Sequence, residues 1–164
     1  LLKSILSTNR FYFDNKNVLL SLGGSLNKAK FLPAANMLFD LGYKIFATDT
    51  TSEFLQSNNV DCATVRKAYQ QSPNVLNIIE SKKVAFVVNL SVENKKSQKT
   101  SKTKKNDNKK EEMYISDGFR IRRATVDNQI PLFTDLHIAR AFIKALVHYG
   151  IEDLEIKPYK EYLN

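Results

Sequence analysis

Five polar side chains stand immediately after apolar runs, where a folded sheet would bring them together. Val18–Leu22 runs into Gly23-Gly24-Ser25-Leu26-Asn27-Lys28, and Tyr43–Ala47 runs into Thr48-Asp49-Thr50-Thr51. Val60–Val65 is followed by Arg66-Lys67, and Val84–Val88 by Asn89-Leu90-Ser91. Lys28, Thr48, Thr51, Lys67 and Asn89 therefore supply two ammonium groups, two hydroxyls and an amide. Beside the free N–H groups of helix starts, such a set suits a doubly charged oxyanion, such as a phosphate on a nucleotide or sugar. Taken singly, each has a plainer reading. Lys28 could be an exposed lysine in a strand-to-helix turn, and the threonines could be N-caps. Lys67 could be a surface charge, and Asn89 a turn residue. Ser25, Asp49 and Ser91 fall in the same turns and would form a rim.

Catalytic chemistry has less to draw on. Asp49 is the one carboxylate in these turns, able to serve as a base or as a helix cap. His137 and His148 are eleven residues apart on one predicted helix, about three turns, too far for one metal. Cys62 has no nearby base and reads as a small core residue; a single cysteine excludes a disulfide framework and a Cys-rich zinc site. No metal site and no catalytic set are expected.

The elements that would position these residues alternate in type. Between the apolar runs, Lys28–Leu41 repeats apolar residues at Phe31, Ala34, Ala35, Leu38 and Leu41, which is one face of a helix stopped by Gly42. Thr51–Asn58 and Asn74–Ser81 read as short helices, and Asp135–His148 as a longer one after a short strand at Ile130–Phe133. Val84–Val88 is apolar throughout, as a strand covered on both faces should be. Strand–helix alternation predicts an α/β fold, a parallel sheet with helices on both faces. Ligands of such sheets sit at the carboxyl ends of the strands.

The chain has 164 residues, 43% hydrophobic and 26% charged, a globular balance. No apolar run approaches the ~20 residues of a membrane span. Leu1-Leu2-Lys3 does not resemble a signal peptide and looks like a cut from a longer chain. The net charge of +8 suggests a polyanion partner, but half of it sits in one tract: Glu93–Glu112 holds eight lysines against four acids. That tract has no aromatic or branched aliphatic residue to bury, so it reads as a disordered insertion in a loop. Lysine without arginine or aromatics gives charge without base readout, so nucleic acid is not the expected partner.

The runs VLLSLGGSLNKAKFLPAANMLFDLGYKIFATDTTSEFL, VRKAYQQSPNVLNIIESKKVAFVVNLS and DGFRIRRATVDNQIPLFTDLHIARAFIKAL resemble the methylglyoxal-synthase-like domain that ends carbamoyl-phosphate synthetase large chains. The most specific pieces are the ATxxT step at Ala47–Thr51, the strand ending in Asn89, IRR at Ile121–Arg123 and IPLFT at Ile130–Thr134. The resemblance implies a Rossmann-like three-layer α/β/α fold with a five-stranded parallel sheet over residues 17–150. Residues 1–16 would lead in from an upstream domain, 93–112 would be the insertion and 151–164 a C-terminal extension.

It also implies an allosteric role without catalysis in the domain itself. Lys28, Thr48, Thr51 and Lys67 would hold an effector phosphate, and Asn89 and Thr134 would border the pocket. The effector would be a UMP- or UTP-like inhibitor or phosphoribosyl diphosphate. The parent would be a cytoplasmic, glutamine-dependent ligase of pyrimidine biosynthesis using ATP and Mg. Its partners would be ATP-grasp domains of the same chain and a glutaminase domain or subunit. The acetylglutamate-activated relatives carry tryptophan where Lys67 stands, and a cation there favours a phosphate over an acetamide. The alternative within the resemblance is a phosphate lyase acting on dihydroxyacetone phosphate, with Asp49 as base. The aspartate-containing segments of that enzyme are replaced here by YQQSPN and NLS.

Overall fold

A computed structural model describes residues 15–68, 70–72, 74–92 and 116–148. The lead-in, the lysine-rich insertion and the C-terminal extension expected from the sequence lie outside the described residues. The strands are β1 (Asn17–Leu22), β2 (Lys44–Thr48), β3 (Ala63–Val65), β4 (Phe86–Leu90) and β5 (Leu132–Phe133). The helices are α1 (Ser25–Asp40), α2 (Asp49–Gln56), α3 (Val75–Glu80), α4 (Asp117–Asp127) and α5 (Leu136–His148). All pairings are parallel, in the order β3-β2-β1-β4-β5.

Alternation along the strands sorts the core into two layers. Val18, Leu20 and Leu22 of β1, Ile45 and Ala47 of β2, and Phe86, Val88 and Leu90 of β4 face one side. They pack with Phe31, Ala35 and Leu38 of α1, Leu55 of α2, and Phe142 and Ile143 of α5. Leu19 and Val87 face the other side, with Val75 and Ile79 of α3 and Ile121 of α4. Period two in the strands thus gives the three-layer arrangement.

Several bounds differ from the sequence reading. α1 begins at Ser25 rather than Lys28, because Gly24 takes a left-handed φ of 79° and opens the helix three residues earlier. The third strand narrows to Ala63–Val65, the length that β2 pairs. The fourth begins at Phe86 rather than Val84 and runs through Asn89 to Leu90. Its register pairs Val18 with Phe86 and Ser21 with Asn89, so β1 sets where the ladder starts. Asn89 is accordingly inside the strand, not after it. Asn74 caps α3, accepting the Leu76 and Asn77 N–H groups while the Asn77 side chain accepts the Asn74 N–H.

Cys62 is buried beside Ser52, with 3.4 Å between Sγ and Oγ. Burial pushes its thiol up; the Ser52 hydrogen bond opposes this and the Asp61 carboxylate adds to it. Burial also pushes the Tyr43 phenol up. The folded chain holds these protons to higher pH than the unfolded chain does. Their contribution to stability is therefore complete below the ordinary thiol range and is lost as pH rises through the folded values. The expected result is a lower urea midpoint at about pH 9.5 than at about pH 7.5, with a smaller fall in Cys62→Ala.

Candidate functional site

The strand order reverses at β1. The chain steps from β1 to β2 to β3 on one side, then crosses to β4 on the other. The crevice beyond the carboxyl ends of β1 and β4 is thus the topological switch point. A cleft of about 520 Å³ opens there, lined by residues of five segments, among them Thr48, Lys67, Asn89, Ser91, Asp117 and Arg122. That is room for a nucleotide-sized ligand.

Backbone contacts fix the floor. The Gly23 N–H donates to the Leu90 carbonyl at 2.7 Å. The Asn27 side chain donates to the carbonyls of Gly23 and Ser91, tying the turn after β1 to the end of β4. On the β2 side, Thr51 is fully buried, and its hydroxyl accepts the Leu22 N–H at 3.0 Å. The Thr48 hydroxyl donates to that same oxygen at 3.3 Å, so Thr51 braces the end of β1 and aims Thr48. On the far wall, Asp117 Oδ1 accepts the Ala68 N–H at 3.1 Å and holds the Lys67 loop against the start of α4. Arg122 Nη1 donates to Asn89 Oδ1 at 2.8 Å and to Ser91 Oγ at 3.1 Å.

Of the residues expected from the sequence, Thr48, Lys67, Asn89 and Ser91 line the cleft. Lys28 stands at its edge, where Nζ donates to the carbonyl of Thr50, a lining residue, at 2.6 Å. Lysine carries three donors, so two of those on Lys28 remain beyond this bond. Thr51 is packed behind the lining. Ser25 and Asp49, in the first turns of α1 and α2, are not lining residues, and neither is Thr134, exposed beyond the edge strand β5. Asp49 therefore sets no carboxylate in the cleft wall. Sequence reasoning missed Arg122, Asp117 and Gly118. The IRR run was the available signal, but nothing in it gave an element type.

The electrostatics favour an anion. Among the described residues, Lys67 and Arg122 line the cleft against the single carboxylate of Asp117, and Lys28 adds a third cation at the edge. α2 and α4 begin at the wall, adding partial positive charge, and the Ser116 side chain caps α4 by accepting the Phe119 N–H. Among the described residues no group of three His, Cys, Asp or Glu side chains could hold a metal ion, and no helix is long and apolar enough to cross a membrane.

A family model described as the MGS-like domain matches residues 30–134. The chain belongs to that family. It is 35% identical over 141 residues to a carbamoyl phosphate synthase large chain of Clostridium botulinum (strain Eklund 17B / Type B), covering 86% of this chain and 12% of that one. It is 34% identical over 136 residues to the corresponding large chain of Methanothrix thermoacetophila, covering 83% and 11%. It is 31% identical over 144 residues to the multifunctional protein pyr1-3 of Dictyostelium discoideum, covering 88% and 6%. This MGS-like domain therefore spans about 12% or less of the length of these relatives. The parallel sheet and flanking helices expected from the resemblance are the ones observed.

Proposed function

We propose that this MGS-like domain is the allosteric module of a cytoplasmic carbamoyl-phosphate synthetase and that its cleft takes a phosphorylated effector. The effector is a UMP- or UTP-like nucleotide or phosphoribosyl diphosphate, and its binding tunes carbamoyl phosphate synthesis for pyrimidine production. The parent chain supplies ATP-grasp domains, uses ATP and Mg, and works with a glutaminase domain or subunit. The observation that carries this reading is the gathering of Lys67, Arg122, Thr48 and Asn89 around one cleft at the switch point, with Lys28 at its edge. The relatives' names supply the parent. No reacting group is required of the domain: an effector that prefers one state of the parent shifts its equilibrium by a coupling of roughly 1–3 kcal/mol.

In this reading Lys67 and Lys28 meet the phosphate directly, Thr48 turns its one hydroxyl hydrogen from Thr51 to the ligand, and Thr51 braces the end of β1 behind it. Removing one charge-assisted contact costs about 1.5–3 kcal/mol. Titration of the chain with UTP and with phosphoribosyl diphosphate by calorimetry is expected to show affinity falling about 10-fold or more in Lys67→Ala and in Lys28→Ala. Unchanged affinity for both probes in both variants would overturn the assignment.

A further inference from the structure

Among the described residues, Asn89 is the one lining side chain that is 2% exposed, polar and uncharged, and held inside a central strand. Its backbone cannot turn, because β4 is paired with β1 through Ser21 opposite Asn89. Its side chain meets Arg122 from α4. A guanidinium only donates, so the atom facing Arg122 Nη1 at 2.8 Å must be the amide oxygen. The flipped amide would set donor against donor. The amide nitrogen makes no hydrogen bond within the described residues, and since no fully buried side-chain nitrogen or oxygen there lacks a partner, it is open to solvent, in a side chain that lines the cleft.

Gly118 leaves room for this approach. A Cβ there would stand 3.1 Å from Arg122 Nη1 and 3.5 Å from Asn89 Oδ1, in the space the bond uses. Among the described residues Arg122 has no carboxylate partner, while Arg123, its neighbour in sequence, pairs with Asp127. Its side chain is spent on Asn89 and Ser91.

We propose that Arg122 is a positioning residue that locks the Asn89 amide so that Asn89 offers the cleft only a donor. The site then selects a ligand that presents an acceptor oxygen at this place, phosphoryl or carbonyl, over one that presents an N–H or O–H. In identifying the ligand as phosphorylated, this rests on the effector reading above.

Two arms test it. In the chain without ligand, selective ¹⁵N labelling of asparagine gives a side-chain amide pair for Asn89, assigned by its loss in Asn89→Ala. Arg122→Met keeps the aliphatic stem and removes the donors; the pair is expected to shift and broaden, and Arg122→Lys is expected to restore it in part. A pair that stays in place in Arg122→Met overturns the proposal whatever the cleft binds. In the second arm, UTP is titrated against Asn89→Ala, Arg122→Met and the double variant. Each single change is expected to lower affinity about 10-fold, and the double change by no more than about 2-fold further, because both remove the same donor. Losses that multiply to about 100-fold would make Arg122 an independent phosphate ligand and overturn the positioning role. If the unaltered chain takes up neither UTP nor phosphoribosyl diphosphate, the effector reading falls and the amide resonances alone decide this proposal.

Discussion

Phe86→Ala is expected to destabilise the chain by about 3–5 kcal/mol, read as a loss in the urea unfolding midpoint at constant slope. Phe86 is fully buried at the first position of β4 and touches three other rings. Its centroid lies 5.3 Å from Phe142 of α5, 5.7 Å from Phe133 of β5 and 6.0 Å from Tyr43 before β2, each edge to face. Phe133 and Phe142 pack at 4.6 Å beside it. One side chain thus joins the edge strand, the last helix and the sheet, and the rigid rings around it cannot collapse to fill the space it leaves. Phe86→Leu keeps much of the volume but loses the edge-to-face geometry, worth about 0.5–1.5 kcal/mol for each pair, and is expected to fall between the two. Phe86 lies three residues before Asn89, on the opposite end of the strand from the cleft. Effector affinity measured below the unfolding transition is therefore expected to persist in both variants. A Phe86→Ala chain as stable as the parent would show that the aromatic cluster does not tie the layers together.

Those rings also show what could be read from the sequence. Apolar runs and helical repeats gave nearly every element, because burial on both faces leaves a pattern in composition. The bounds of β4 did not follow: Val84 and Ala85 are as apolar and as buried as Phe86, and only pairing with β1 decides where the ladder begins. α4 was harder. Its buried stripe is Ile121 and Thr125 alone, while Phe119 and Val126 are exposed, so the apolar residues do not mark one face.

The site followed the same division. That residues after strands converge is a consequence of topology, and Thr48, Lys67, Asn89 and Ser91 do line one cleft. Distance from the switch point was not legible. Thr134 follows β5, which β4 separates from β1, and it stays outside the lining. Nor was the difference between Thr48 and Thr51: one lines the cleft and the other is packed behind it with its Oγ on the Leu22 N–H, a choice made by the first turn of α2 rather than by residue type.

Gly23→Ala tests whether the floor of the cleft and the effector site are the same structure. A Cβ at Gly23 would fall 2.7 Å from the Leu90 carbonyl oxygen, 2.9 Å from the Val92 nitrogen and 3.2 Å from the Ser91 carbonyl carbon. All three are backbone atoms, so no side chain can rotate away. Relief requires the end of β4 to move off β1, which breaks the Gly23 N–H bond to Leu90 and strains the Asn27 bridge to Ser91. The expected cost is at the upper end of the range for overpacking, about 3 kcal/mol. Displacing Leu90 and Ser91 also carries Asn89 away from Arg122, so UTP affinity is expected to fall by at least about 10-fold. Gly24→Ala is the control. Its φ of 79° with ψ of 146° makes any side chain strained, at about 1–3 kcal/mol, yet the nearest neighbours of a Cβ there are the Val92 methyls at 3.8 Å. Stability should drop in both variants, and affinity only in Gly23→Ala. Equal affinity in the two, at equal folded fraction, would separate the β1–β4 floor from effector binding and remove the switch-point cleft as the site.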